Sequence, residues 1–246
     1  MTEKQFNKAF NAFVLVGMAV VTVLVTALKF RSAEQGQWLL VISALGALAG
    51  VLSTVLSANG RILTFLFGFI DVSIYGAMCL AGARYGNAAL HLLYFLPMQL
   101  VGFLQWKKRV ADRDDEVKAR RLDGRQRRLF SVLFLLGLLV SYFVLEAMDR
   151  TEAAGVVKWL VLMDAFSMMC NLLGQYLLST AYMEQWLFWI GVNIASVAMW
   201  VLTLRQDPSS AYAVIYIVKY SFYFINSLNG LRIWLRLSRP GQKWKG

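Results

Sequence analysis

Long apolar runs recur along almost the whole chain, separated by short polar stretches and by one long charged segment. Roughly 20 apolar helical residues cross the hydrocarbon core of a bilayer, so each run predicts a membrane-spanning helix. The pattern places spans at 13–28, 38–56, 63–81, 88–106, 129–148, 159–178, 186–204 and 213–234. The expected fold class is therefore all-α, a membrane protein of about eight transmembrane helices. No cleavage pattern follows the first run, which reads as a retained helix rather than a signal peptide.

An internal repeat organises these runs. Sliding the sequence by 122 positions lays 48–71 over 170–193, so that Ser57 meets Ser179 and Asp71 meets Asn193. The ends of the halves match at an offset of 128, where Leu100-x-Gly102-x-x-x-Trp106 answers Leu228-x-Gly230-x-x-x-Trp234. A six-residue insertion near 206–210 would reconcile the two offsets. The order is then one extra helix, a three-helix unit, one linker helix and a second three-helix unit. A three-helix unit ends on the face opposite its start, and the linker helix returns the chain. Both units therefore run parallel, a recurring transporter plan with the substrate site between the repeats. The segments are 1–37 for the N-terminal helix and loop, 38–106 for the first unit and 107–158 for the charged linker with its helix. The second unit occupies 159–234, and 235–246 forms a basic tail.

Composition agrees, with 59% hydrophobic and 16% charged residues. The net charge of +11 would suit nucleic acid in a soluble protein. In a membrane protein it marks cytoplasmic loops. Ten Lys/Arg and five Asp/Glu fall in 107–128, read as a solvated cytoplasmic linker. With that linker inside, 18 Lys/Arg lie on its side of the membrane and six on the other. Both termini are expected in the cytoplasm, and no nucleic-acid partner is expected.

Polar side chains inside a span are costly and usually face an interior or a wet cavity. Here they are Asp71, Gln99, Asp164, Asn171, Gln175, Asn193, Lys219, Asn226 and Asn229, all in the two units. Helix-to-helix hydrogen bonding would explain any one of them. As a set they predict a polar cavity. Trp186, Trp189 and Asn193 share one helical face, with the amide about 10 Å deeper than the first indole. A flat aromatic or cationic ring can stack on the indoles while the amide binds a polar substituent. An interfacial tryptophan belt is the plainer alternative. The candidate substrate-binding set is Trp186, Trp189, Asn193, Gln99, Asp71, Asn226, Asn229, Asp164, Lys219 and Tyr223.

Other chemistry finds no support. The chain lacks a phosphate-binding GxxxxGK[ST] loop and an HExxH zinc motif. Its single histidine, His91, reads as packed within a span, and Cys79 and Cys170 read as small buried hydrophobes. No cofactor, metal or catalytic residue is expected.

The stretches EQWLFWIGVNIAS (184–196) and LNGLRIW (228–234) resemble the Pnu family of bacterial vitamin transporters, as do FGFIDVSIYG (67–76) and LVGFLQW (100–106). The resemblance covers roughly 38–234. It implies a SWEET-like arrangement of three, one and three helices, assembled as a homotrimer in the bacterial inner membrane. It also implies facilitated diffusion of nicotinamide riboside, trapped inside by a separate kinase. Trp186, Trp189 and Asn193 match the family motif, Asn229, Gly230 and Trp234 match its second ending, and Asp164 resembles an acid of its first helix. Asp71 stands where the first-half motif should carry Asn, and the first half has no acid matching Asp164. Relatives move thiamine or riboflavin. A thiamine or other vitamin facilitator, an ion-coupled symporter, and an accessory subunit or intramembrane enzyme are the alternatives.

Overall fold

The computed structural model describes residues 2–32, 37–81, 85–109, 116–148, 156–208 and 211–239. Arg84, Arg113, Arg150, Lys243 and Lys245 of the charge count, and Ser209 and Ser210 of the expected insertion, lie outside them. The described residues form eight long helices: α1 Glu3–Ser32, α2 Gln37–Ala58, α3 Thr64–Ala81, α4 Tyr85–Lys107, α5 Gly124–Met148, α6 Val156–Ser179, α7 Gln185–Gln206 and α8 Ala211–Leu237. Seven of them, α1 to α7, are long and apolar enough to cross a membrane. α8 is longer than most, at 27 residues, but is more polar, with Lys219, Asn226 and Asn229 along it. Its interior place against α1, α2 and α7 accounts for that composition. α5, by contrast, packs mainly on α6 and leaves Leu135, Leu136, Leu139 and Val140 exposed, as a lipid-facing helix should.

Each unit is a sequential bundle, α2–α3–α4 and α6–α7–α8. Across the bundle α2 packs on α8 and α4 on α6. The first helix of each unit thus meets the third of the other, the reciprocal pattern that a two-fold axis between the units requires.

Two turns set the register of the repeat. α2 ends at Asn59-Gly60, where Gly60 takes a left-handed φ of +66°, and α6 ends at Thr180-Ala181, where Ala181 takes +62°. Arg61 N–H returns to the Leu56 carbonyl at 2.9 Å, and Tyr182 N–H returns to Leu177 at 2.8 Å. Corresponding residues are 121 positions apart, not the 122 read from side-chain identity. The counterpart of Asn193 is therefore Val72, and Asp71 answers Val192. The offset of 128 at the third helices stands, so the insertion is seven residues. It enlarges helices as well as a loop: α7 has 22 residues where α3 has 18.

The core at the turn end is aromatic. Phe65 meets Trp106 edge to face at 4.8 Å, and Trp186 meets Trp234 at 6.2 Å. Phe65 and Trp186 are again 121 apart. The glycine of each Gly-x-x-x-Trp ending seats one ring of the facing helix: a Cβ at Gly102 would lie 2.1 Å from Phe65, and one at Gly230 would lie 2.5 Å from Trp186. This explains why the two endings share a glycine.

The linker is not simply solvated. Residues 116–122 form a strap against both turns. Val117 N–H donates to the Gly60 carbonyl at 3.0 Å. Arg120 N–H donates to Ala181 at 2.7 Å, and the Arg120 carbonyl accepts from Met183 at 2.9 Å. Val117 is 1% exposed beneath the Trp106, Trp186 and Trp234 cluster, and Leu122 packs with Leu177 and Tyr182. Exposed turn backbone needs partners, and an apolar residue at every few positions lets the strap supply them. Its lysines and arginines dominated the sequence pattern and hid Val117 and Leu122.

At the same end α1 is latched to α8. Arg232 bonds Asn7 and pairs with Glu3 at 3.4 Å, and Arg236 also pairs with Glu3. Deeper, Val14 and Met18 of α1 pack with Val51 and Val55 of α2 and with Phe222 and Tyr223 of α8.

Candidate functional site

A cavity of about 800 Å³ lies between the two units. α2, α3, α4, α6, α7 and α8 all contribute to its wall, which follows from the reciprocal packing of the units.

Seven of the ten candidate residues line it: Trp186, Trp189, Asn193, Gln99, Asp71, Asp164 and Tyr223. Trp186 is 1% exposed, so it sits inside the bundle rather than in an interfacial belt. Asn193 donates to the Ser227 hydroxyl at 3.0 Å, which fixes its amide between α7 and α8. Its carbonyl oxygen remains for other donors.

The other three are not in the lining. Asn226 is fully buried between α8 and α2, where its amide donates to the Thr54 carbonyl at 3.2 Å. Asn229 accepts from Arg232 at 2.8 and 3.1 Å and so belongs to the α1–α8 latch. Lys219 lies 5.5 to 5.9 Å from the ring centres of Tyr216, Tyr220 and Tyr223. It is within electrostatic reach of Asp71, where its charge offsets only part of the cost of burying that carboxylate. Lys219 thus stands behind the wall that Tyr220 and Tyr223 present.

Several lining groups escaped the sequence reading. Ser53, Thr54 and Thr64 come from α2 and the start of α3, and Tyr220 from α8. Asn171 and Gln175 of α6, two amides of the expected polar cavity, line it as well. His91, read as a packed residue, also reaches the lining. The reason is local. Pro97 has no N–H to give and its ring crowds the preceding turn, and α4 answers with a π-helical stretch at Leu90–Phe95 that redirects His91.

Charge in the lining has one sign. It holds two carboxylates, Asp71 and Asp164, and no lysine or arginine among the described residues. Nor do the described residues contain a cluster of His, Cys, Asp and Glu placed to hold a metal ion.

A family model described as "Nicotinamide mononucleotide transporter" matches residues 40–236. Among curated proteins, the chain is 30% identical to the nicotinamide riboside transporter PnuC of Neisseria mucosa, over 80% of this chain and 72% of that protein. It is 29% identical to the protein of the same name from Haemophilus influenzae, over 81% and 80%. Among solved structures it resembles one titled as the crystal structure of the vitamin B3 transporter PnuC, with a TM-score of 0.63 and 26% identity. That match covers 96% of this chain and 92% of the other.

Proposed function

We infer the function from membership: the chain belongs to the nicotinamide mononucleotide transporter family, and the relatives it resembles carry the name nicotinamide riboside transporter. It is a multi-pass membrane protein that takes up nicotinamide riboside. The observation that carries this reading is the cavity between the units, with two indoles and a fixed amide on one wall and carboxylates on the others. The riboside's pyridinium is flat and cationic, so it suits both the indole faces and the carboxylates. Asn193 and Gln99 supply polar contacts.

The same lining favours the riboside over its 5′-phosphate. A phosphate carries about two negative charges near neutral pH and binds where arginine, lysine or a helix N-terminus meets it. Asp71 and Asp164 would repel it.

In this reading transport is facilitated diffusion, made one-way by a separate kinase that phosphorylates the riboside inside the cell. The protein itself supplies binding and a path and performs no chemistry. It sits in the inner membrane as a homotrimer with both termini cytoplasmic, and the strap lies on the cytoplasmic face. The SWEET-like plan of parallel units is supported by the reciprocal contacts and the 121-residue spacing of the two turns.

Proteoliposomes loaded with buffer and offered labelled nicotinamide riboside, its mononucleotide and thiamine test the assignment. Saturable riboside flux without ATP, with little mononucleotide flux, is the expected result. Flux of thiamine alone would reassign the substrate, and preferred uptake of the mononucleotide would overturn the charge argument.

A further inference from the structure

The π-helical stretch of α4 carries His91, the one imidazole of the chain, on a largely apolar turn. At Leu90–Phe95 the helix widens, and Leu96 N–H donates to the His91 carbonyl. A wide turn of this kind holds one residue more than an α-helical turn. α8 has no such stretch, so the offset of 128 between the third helices becomes 129 on the far side of the turn. His91 then stands where α8 has Tyr220.

The neighbours obey the same relation. The His91 ring lies 4.5 Å from the ring centre of Tyr75, and Ser196 is the side chain that faces the Tyr220 hydroxyl from α7. Tyr75 and Ser196 are 121 positions apart, as the turns require. All four residues line the cavity. The two units therefore place one polar ring each at the same depth, on opposite walls.

His91 is also held in one tautomer. Its Nδ1 lies 2.8 Å from the Asn87 carbonyl oxygen. That oxygen only accepts, so Nδ1 carries the proton and Nε2 of the neutral ring presents a lone pair. Tyr75 and Phe95 at 4.5 and 5.0 Å fix the plane of the imidazole. By helix rise, Ser196 stands about 10 Å beyond Trp189 along α7. A riboside whose pyridinium stacks on Trp189 thus carries its sugar toward the tier of His91 and Tyr220.

We propose that His91 is a specificity-determining residue whose Nε2 accepts a hydrogen bond from a ribose hydroxyl. This rests on the riboside reading above. It makes the far tier, where the π-turn before Pro97 sets His91, a sugar-reading tier.

The test is calorimetry on the purified protein with nicotinamide riboside and its 2′-, 3′- and 5′-deoxy analogues, using the unsubstituted chain and His91→Phe. The phenyl ring keeps the stacking and removes the acceptor. His91→Phe is expected to bind the riboside about tenfold more weakly, the worth of one hydrogen bond. One deoxy analogue should bind the unsubstituted protein equally weakly and lose nothing further in the variant. Full affinity in His91→Phe, or a loss of the same size for the riboside and all three analogues, would overturn the proposal. His91→Met, also without a strong acceptor, should repeat the pattern, so the outcome does not hang on the folding of one variant. Failure of the unsubstituted chain to bind the riboside would instead overturn the function itself.

Discussion

Trp106 and Trp234 lie with ring centroids 5.3 Å apart, and each gives its indole N–H to the opposite unit. Trp106 donates to the Leu178 carbonyl at 2.8 Å, and Trp234 donates to the Ser57 carbonyl at 2.9 Å. Ser57 and Leu178 are themselves 121 positions apart, so the two bonds are one contact made twice. Each carbonyl also accepts a turn N–H, from Gly60 or Ala181 at 3.0 Å, so replacing either tryptophan by phenylalanine removes one of two donors, at a cost of about 0.5–1.5 kcal/mol. Trp106→Phe and Trp234→Phe should each lower the thermal midpoint in detergent. Midpoints unchanged in both would show that these bonds contribute nothing net.

Gly230→Ala puts a methyl group 2.5 Å from the Trp186 ring, which is 1% exposed and has no room to yield. Overpacking of this kind costs about 1–3 kcal/mol. Thermal unfolding should register it, and Gly102→Ala, pressed on Phe65, should behave alike. Substitution of Gly86, which has nothing within 4 Å of its Cβ position, is the matched control.

Trp189→Ala should weaken riboside binding by about 1–3 kcal/mol while leaving assembly intact, if the indole stacks on the pyridinium. Eight tryptophans would blur an emission assay, so calorimetry is the right measurement. Affinity equal to the unsubstituted protein would assign Trp189 to packing.

Energy coupling turns on Asp71 and Asp164. A symporter would use one of them as its switch, and moving one charge across the membrane is worth about 2.3 kcal/mol per 100 mV. The proximity of Lys219 to Asp71 favours a structural role for that carboxylate. Vesicles should therefore equilibrate the riboside, with an initial rate unchanged when the proton gradient is collapsed. Accumulation above the outside concentration, abolished by Asp71→Asn or Asp164→Asn, would make the protein a coupled transporter.

Reporter fusions at the two ends of the chain test orientation. The 18-to-six bias in Lys/Arg predicts that both are cytoplasmic. A periplasmic signal from either end would contradict the eight-span path.

The helices were legible because lipid imposes their length and composition. α2 to α7 begin and end within a few residues of the apolar runs. Asp71, Trp189 and Asn193 were legible for a related reason, since polar or amphipathic groups in a span have few places to face. The register was not. Identity between Ser57 and Ser179 suggested 122, whereas the left-handed residues Gly60 and Ala181 impose 121. Only one of those two is a glycine, so turn chemistry gave no matching signal. Asn226, Asn229 and Lys219 share their polarity with cavity residues and differ only in facing, which a helix surrounded on several sides does not reveal. His91 depended on a π-turn, and Pro97 was the one clue to it.

The strap at 116–122 bears on the order in which the chain can be assembled. Its first partner, Gly60, belongs to a turn that emerges from the ribosome before the strap does. Its second, Ala181, is made some sixty residues after it, following α5 and α6. Val117 can settle on the first unit early, but the Arg120 hydrogen bonds and the seat of Leu122 on Leu177 and Tyr182 must wait for the second. The first unit is thus left with a half-docked segment for as long as α5 and α6 take to insert. Docking of the strap on both turns becomes a closing step of biogenesis, and one that only a completed pair of units can supply.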